Sequence, residues 1–313
     1  MASGRLILSS GDPTVDRRID WARALMEENA AADAAALLTE AVARAAHFAP
    51  AWFLLGEARE AAGDAPGARL AFAQALALDP RDTLGATLRL ARLEGEVAGM
   101  SEAYVRVLFD QYADRFDAAL ARLDYRGPEI IKTALACACE RLGRPFAFAR
   151  GLDLGCGTGL AGASLADHVG MMEGVDLSPN MVALARRRAI YDGLADGEMV
   201  AFLRERPARQ VDLIFAGDAF CYLDDLGPIL TESHRVLEPG GLLAFTTETH
   251  DGDGVRLRDT LRFAHARDHV RERLVGAGLL PLVLDPVSVR REKDQPVAGL
   301  VAVALRESLI RSG

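Results

Sequence analysis

The residues best placed to do chemistry lie in Asp153-Leu154-Gly155-Cys156-Gly157-Thr158-Gly159 and, further on, at Asp176 in Gly174-Val175-Asp176-Leu177-Ser178. Glycine at every second position lets a backbone turn sharply and lie against a flat ligand, because no Cβ stands in the way. An acid at the end of a following strand can accept hydrogen bonds from two vicinal hydroxyls. The chemistry these residues point to is the holding of a nucleoside in a crevice at the carboxyl ends of parallel strands. Elements must exist to place them. The apolar run ending at Leu154 predicts a strand, Leu160 to Val169 predicts a helix, and the run before Asp176 predicts a second strand.

Two nucleoside cofactors compete for that loop. Gly157, Gly159 and Gly162 satisfy the G-x-G-x-x-G spacing of dinucleotide sites, so a nicotinamide cofactor is one reading. The whole phrase, with Asp153 at the strand end, resembles motif I of class I S-adenosylmethionine (SAM) methyltransferases. Later segments fall in the order of that family. Val211–Ala216 is similar to its fourth strand, and Arg235-Val236-Leu237-Glu238-Pro239-Gly240-Gly241-Leu242 to a helix end, a Pro-Gly-Gly turn and a fifth strand. Two β-like runs, Leu280–Val289 and Val297–Leu305, flank the polar Arg290–Gln295 and predict an antiparallel hairpin. The resemblance implies an α/β fold with a Rossmann-like seven-stranded methyltransferase sheet over 149–313.

The same resemblance implies the site. Asp153, Gly155, Cys156, Gly157, Gly159, Asp176, Leu177 and Met181 are expected against the cofactor, with Asp176 on the ribose hydroxyls. The acid for the adenine amino group comes from Leu194–Leu203. Glu198 is placed slightly better than Asp196 there, although the family more often has Asp, and both stay open. The loop after the fourth strand puts Asp218 at the cofactor and Tyr222 at the acceptor. After the fifth strand, His250 is expected as a general base, since an imidazole titrates near neutral pH, or as an exposed loop histidine. Arg262 and His265 lie in a stretch with Arg256, Arg258, Arg267, Arg271 and Arg273. It is expected to hold an anionic acceptor or to form a solvated helix face. No metal site is expected.

Upstream, the first hundred residues are alanine-rich and helical. Trp52, Leu55, Gly56, Ala68, Phe72, Ala75 and Pro80 resemble one tetratricopeptide (TPR) repeat, with Arg59 where the family has an aromatic. Pro50 with Leu38, Val42 and Ala45 marks an earlier, degenerate repeat, and a further helix is expected from Thr83 to about Glu96. The expected division is 1–98 as an all-α TPR-like domain, 99–148 as a helical linker or lid, and 149–313 as the methyltransferase domain. Tyr104, Val105, Leu108, Phe109, Tyr112 and Phe116 make one aromatic helical face. It reads as a lid or as core packing, with Tyr112 the expected cofactor contact because a phenol packs and hydrogen-bonds at once.

Composition bounds the partners. At 313 residues two domains are the better prior. A net charge of −9 gives no footprint for unspecific nucleic-acid binding. No apolar run is long enough to span a bilayer, and Met1–Leu8 is too short an apolar run for a secretory signal. The four cysteines form no Cys-x-x-Cys pair, so a reducing cytoplasm is the simplest compartment. The expected function is SAM-dependent methyl transfer to a small-molecule or carrier-bound acceptor, with a protein partner for the TPR-like region. The alternative is a TPR interaction module fused to a domain that binds SAM without catalysis.

Overall fold

In a computed structural model of the chain, residues 9–307 are described. The Met1–Leu8 stretch, weighed above as a leader, lies outside the described residues, as does 308–313 of the expected second domain. The chain divides into two compact units, Met1–Val107 with Asp259–Leu261, and Leu108–Arg258 with Arg262–Gly313. The division thus falls at Val107, later than the expected 98.

The first unit holds α1 (Pro13–Glu27), α2 (Ala31–Arg44), α3 (Ala49–Ala61), α4 (Ala65–Leu78) and α5 (Ala86–Glu94), and no strand among its described residues up to 98. Asp12 and Asp64 cap α1 and α4 by accepting the amides of Thr14 and Gly67, which satisfies donors a helix start leaves orphaned. Gly56 allows close approach of α3 and α4: a Cβ there would lie 2.5 Å from the Phe72 ring. Phe72 is wholly buried against Phe53. Arg59 bridges α3 to α4 by donating to the Gly67 carbonyl at 3.1 Å, which gives the unexpected arginine a structural use.

α6 (Glu102–Tyr112) runs into the second unit, where α7 (Phe116–Arg122) and α8 (Gly127–Arg141) precede the sheet. Strands and helices then alternate as β1 (Phe148–Leu154), α9 (Leu160–Leu165), β2 (Val169–Asp176), α10 (Pro179–Arg187), β3 (Gly193–Asp196), α11 (Met199–Arg204), β4 (Val211–Ala216), α12 (Gly227–Val236) and β5 (Leu237–Glu248). After them come β6 (Val255–Leu257), β7 (Phe263–His265), α13 (Arg267–Gly276), β8 (Leu279–Val287), β9 (Arg291–Glu292), β10 (Gln295–Pro296) and β11 (Gly299–Arg306). The main sheet runs β3-β2-β1-β4-β5-β11-β8. β1 to β5 are parallel, and β11 is antiparallel to both its neighbours. Central strands read as near-continuous apolar runs because helices cover both faces; Leu213 to Ala216 are fully buried.

Three details differ from the sequence expectation. The sheet gains β7 beside β5 and β6 beside β7. Pro239-Gly240-Gly241 does not precede β5 but lies within it, where the register with β4 slips from Val211–Leu237 to Leu213–Leu242. Leu160–Val169 is helical only to Leu165, then one 3₁₀ turn.

Candidate functional site

The glycine loop leaves β1 with three residues in the left-handed region, Gly155 at φ +67°, Gly157 at +54° and Gly159 at +87°. This conformation is strained for any residue with a Cβ. The Cys156 amide donates to the Val175 carbonyl at 2.9 Å, tying the loop to β2. Asp176 holds it from the same side: Oδ2 accepts the Gly157 amide at 2.8 Å and Oδ1 the Ser178 amide at 2.9 Å. Burial raises the Asp176 pKa, against those two amides. A Cβ on Gly155 would meet that of Ala219 at 2.6 Å, whereas one on Gly157 would find only Phe116, 3.8 Å away. The loop is therefore braced at Gly155 and open at Gly157.

Sequence-expected contacts divide on burial. Tyr112, Asp176 and Leu177 are partly exposed. Asp153 and Met181 have no exposed surface, and Cys156 has almost none. For these three it is the side chain that is withdrawn from the surface where contact is expected. Met181 sits in the first turn of α10, with its amide on the Ser178 hydroxyl. Asp153 accepts the Tyr191 hydroxyl at 2.6 Å, and burial pushes its pKa up to about 7. Glu198 has a structural role as well: its carboxylate oxygens accept the Val200 and Ala201 amides at 2.8 and 2.7 Å as the N-cap of α11. Asp196, beside Asp176 in the β2–β3 register, is exposed.

Two aspartates fix the aromatic segment to this loop region. Asp110 of α6 accepts the Ser178 hydroxyl, and its carbonyl accepts the Asn180 side-chain amide at 3.1 Å. Asp117 of α7 accepts the Thr158 hydroxyl at 2.5 Å and pairs with Arg188 at 2.6 Å. Between them Phe116 meets Phe109 and Tyr112 edge to face, with centroids 6.0 and 6.3 Å apart. Phe109 reaches Tyr222 at 5.3 Å. The segment covers the open side of the loop at Phe116.

A buried charge network fills the carboxyl ends of β4 and β5. Arg290, 1% exposed, donates to Asp218 at 3.0 Å, to Glu292 at 2.9 Å and to Glu248. Arg262 donates through Nε to the Tyr222 hydroxyl at 3.0 Å and through Nη1 to Glu248 at 3.4 Å. Arg258 adds a third cation 3.5 Å from Glu248. Burial pushes the pKa of Asp218 up to about 6 and of Glu248 up to about 7. Burial also holds the Tyr222 hydroxyl well above an ordinary phenol, so it stays protonated.

This network corrects the acceptor-side expectations. Arg262 is buried with its guanidinium committed internally, not offered to an anion. His265 is fully buried in β7 with Nε2 2.9 Å from the Leu223 carbonyl. Burial pushes its pKa down to about 4, so it is neutral. Asp218, expected at the cofactor, is taken up by Arg290. His250 is half-buried and both its ring nitrogens lack a hydrogen-bond partner among the described residues. Arg290, Glu248 and Tyr191 were missed. Arg290 looked like hairpin-turn polarity, and nothing local marks the other two. Among the described residues no His, Cys, Asp and Glu cluster suits a metal ion, and no helix is long and apolar enough to cross a membrane.

Residues 152–245 match a family model described as a methyltransferase domain. The malonyl-[acyl-carrier protein] O-methyltransferase of Halorhodospira halophila is 32% identical, over 64% of this chain and 70% of that protein. The enzyme of the same name from Enterobacter lignolyticus is 36% identical, but the match takes in 33% of this chain and only 41% of the relative's length. Among solved structures, Burkholderia thailandensis 1,6-didemethyltoxoflavin-N1-methyltransferase, with bound 1,6-didemethyltoxoflavin and S-adenosylhomocysteine, superposes with a TM-score of 0.51. It is 21% identical, over 68% of this chain and 92% of that one, a likeness of fold.

Proposed function

This chain belongs to the class I SAM-dependent methyltransferases, and we propose that it transfers a methyl group to a small-molecule or carrier-bound acceptor by in-line attack. The observation that carries the proposal is the joint placement of the braced glycine loop and Asp176 at the ends of β1 and β2. The residues present fit the cofactor. Backbone lies open at Gly157, and the Asp176 carboxylate, with about four acceptor sites, keeps room for ribose hydroxyls beyond its two amides. Asp196 is exposed one strand further along for the adenine amino group. When bound, SAM supplies an electrophilic methyl on its sulfonium.

The chain's own work is then to orient the acceptor and exclude water. Phe109, Tyr112 and Phe116 cover the loop side, and Tyr222 offers a neutral hydroxyl. Where the acceptor must lose a proton, His250 is the candidate base, its ring nitrogens being unpartnered. The malonyl-[acyl-carrier protein] O-methyltransferases support a carrier-bound acceptor, and the aklanonic acid methyltransferase of a Streptomyces species, 29% identical over 44% of this chain, supports a small-molecule one. The helical unit is proposed as TPR-like, with a protein partner. Its support is the start of α4 thirty-four residues after that of α2 and the Gly56–Phe72 approach. Unpaired cysteines support a cytoplasmic setting.

Titration calorimetry tests the cofactor reading. Wild type is expected to bind SAM saturably, and Asp176→Ala to lose roughly 1.5–3 kcal/mol, the scale of hydrogen bonds to a charged group. Unchanged affinity would mean that the ribose is held elsewhere. A paired comparison separates the two acids of the β3 region. Asp196→Ala is expected to loosen SAM, while Glu198→Ala keeps the affinity and costs about 1 kcal/mol of stability as a lost cap. The reverse pattern would return Glu198 to the adenine. A screen of acceptors with labelled SAM addresses the acceptor.

A further inference from the structure

Tyr191 lies in the turn between α10 and β3, outside every segment that resembles the family's motifs. Its ring occupies a slot that three glycines leave for it. A Cβ on Gly162 would overlap its hydroxyl and come 2.7 Å from Cζ. One on Gly174 would lie 3.1 Å from Cε1, and one on Gly159 3.1 Å from Cε2. Gly159 is needed for its positive φ, but Gly162 and Gly174 have ordinary backbone angles. At Gly162 the lack of a side chain is explained by the ring, and at Gly174 by the ring together with Leu194 Cδ2 at 3.0 Å and the Cys156 Cβ at 3.2 Å. Gly162 lies inside α9, where glycine costs roughly 0.5–1 kcal/mol against alanine, so the slot is kept at the helix's expense.

From that slot the hydroxyl donates to Oδ2 of Asp153 at 2.6 Å. Asp153 is the last acid of β1 before the loop turns at Gly155, and it has no exposed surface. Tyr191 is the one side chain that hydrogen-bonds it among the described residues. The other groups facing it are the Gly162 amide, Asp176 on β2, the Cys156 thiol in the loop and the Tyr125 hydroxyl ahead of α8. The nearest cation, Arg188, acts on Tyr191 and spends its guanidinium on Thr158 and Asp117. A buried carboxylate left without its donor is costly or takes a proton.

We infer that Tyr191 is a positioning residue for the cofactor: its hydroxyl holds Asp153, and through Asp153 the turn of the glycine loop, in the binding geometry. The inference rests on the reading of this loop as a SAM site. The bond from the hydroxyl favours the ionised form of Asp153, which burial opposes. Removing the donor therefore raises the pH at which Asp153 protonates and the brace is lost.

The test is the pH profile of SAM affinity, measured by calorimetry from pH 5.5 to 9 on the full chain. Tyr191→Phe keeps the ring in its slot and deletes only the hydroxyl. It is expected to bind SAM about tenfold more weakly at pH 7 and about twofold more weakly at pH 9, the falling limb moving up by about one pH unit. Gly162→Ala, which drives a methyl into the hydroxyl's place, is expected to move the limb in the same direction, with the thermal midpoint as a control on folding. SAM binding by wild type with an unmoved limb in Tyr191→Phe would overturn the role of Tyr191 and leave the cofactor site standing. No SAM binding by wild type at any pH would overturn the cofactor reading and this inference with it.

Discussion

Arg290→Met lowers the stability of the second unit by roughly 3–5 kcal/mol at pH 8, the cost of removing one partner from a buried ion pair. Among the described residues Arg290 is the one side chain that pairs with Asp218, Glu248 and Glu292 together. Methionine fills much of its volume but leaves Asp218 with no ion pair and only the field of Arg262, and leaves Glu248 to Arg262 and Arg258 alone. The loss depends on pH with a definite sign. Burial already lifts Asp218 to about 6 and Glu248 to about 7, above the ordinary carboxylate range near 4. The folded state therefore binds more protons than the unfolded chain between about pH 4 and 7, and stability falls as pH rises through that window. Removing Arg290 lifts both carboxyls further, so the penalty is smaller at pH 5.5, where they are protonated, than at pH 8. Arg290→Lys keeps a charge but not the fork that serves three acids, and an intermediate loss is expected. Both tryptophans, Trp21 and Trp52, belong to the first unit. Urea unfolding must therefore be followed by circular dichroism or calorimetry rather than by tryptophan emission. A loss under 1 kcal/mol, or one that does not vary between the two pH values, would mean that the carboxylates find other partners.

What the sequence carries locally and what it does not divide along physical lines. The glycine loop was legible because the requirement is local: a positive φ at Gly155, Gly157 and Gly159 selects glycine whatever surrounds it. β4 was legible because Leu213 to Ala216, covered on both faces, form an unbroken apolar run. Asp176 followed from strand and loop together. Arg290 was not legible, because its burial depends on Asp218 and Glu248 arriving from β4 and β5, far away in the chain. In isolation Arg290–Gln295 has the polarity of a surface hairpin, and for Arg291 to Pro296 it is one. Arg262 and His265 were misjudged for a related reason. The arginine-rich stretch suggests a solvated face, but β7 pairs with β5 at Ala264 and Glu248, and Arg262 and His265 on either side of that pair are both buried. Glu198 shows a third case. An acid just before a short helix serves equally as a cap or as a ligand by pattern alone, and the cap shows only in the two amide distances.

Substituting alanine at Gly155 and at Gly157 is expected to give opposite balances of damage to folding and to binding. Both residues have positive φ, so each variant carries left-handed strain of about 1–2 kcal/mol. At Gly155 the new methyl also meets the Ala219 Cβ at 2.6 Å. Neither methyl can rotate away, since each is fixed to its backbone, and overpacking of this kind adds about 1–3 kcal/mol. The displaced loop also carries the Gly157 amide away from Asp176. Gly155→Ala should therefore lose roughly 2–5 kcal/mol of stability and SAM affinity together. At Gly157 the new methyl meets only Phe116 at 3.8 Å, an ordinary contact. Its folding cost should stay near the strain alone. Yet it projects into the space where the proposed cofactor lies against bare backbone, so SAM affinity should fall by a hundredfold or more, about 2.7 kcal/mol or above. Thermal midpoints and calorimetric affinities on the same two proteins separate the cases. Retention of wild-type SAM affinity by Gly157→Ala would show that the ligand does not pass over this glycine, and the crevice would have to be sought elsewhere along the carboxyl ends of the strands.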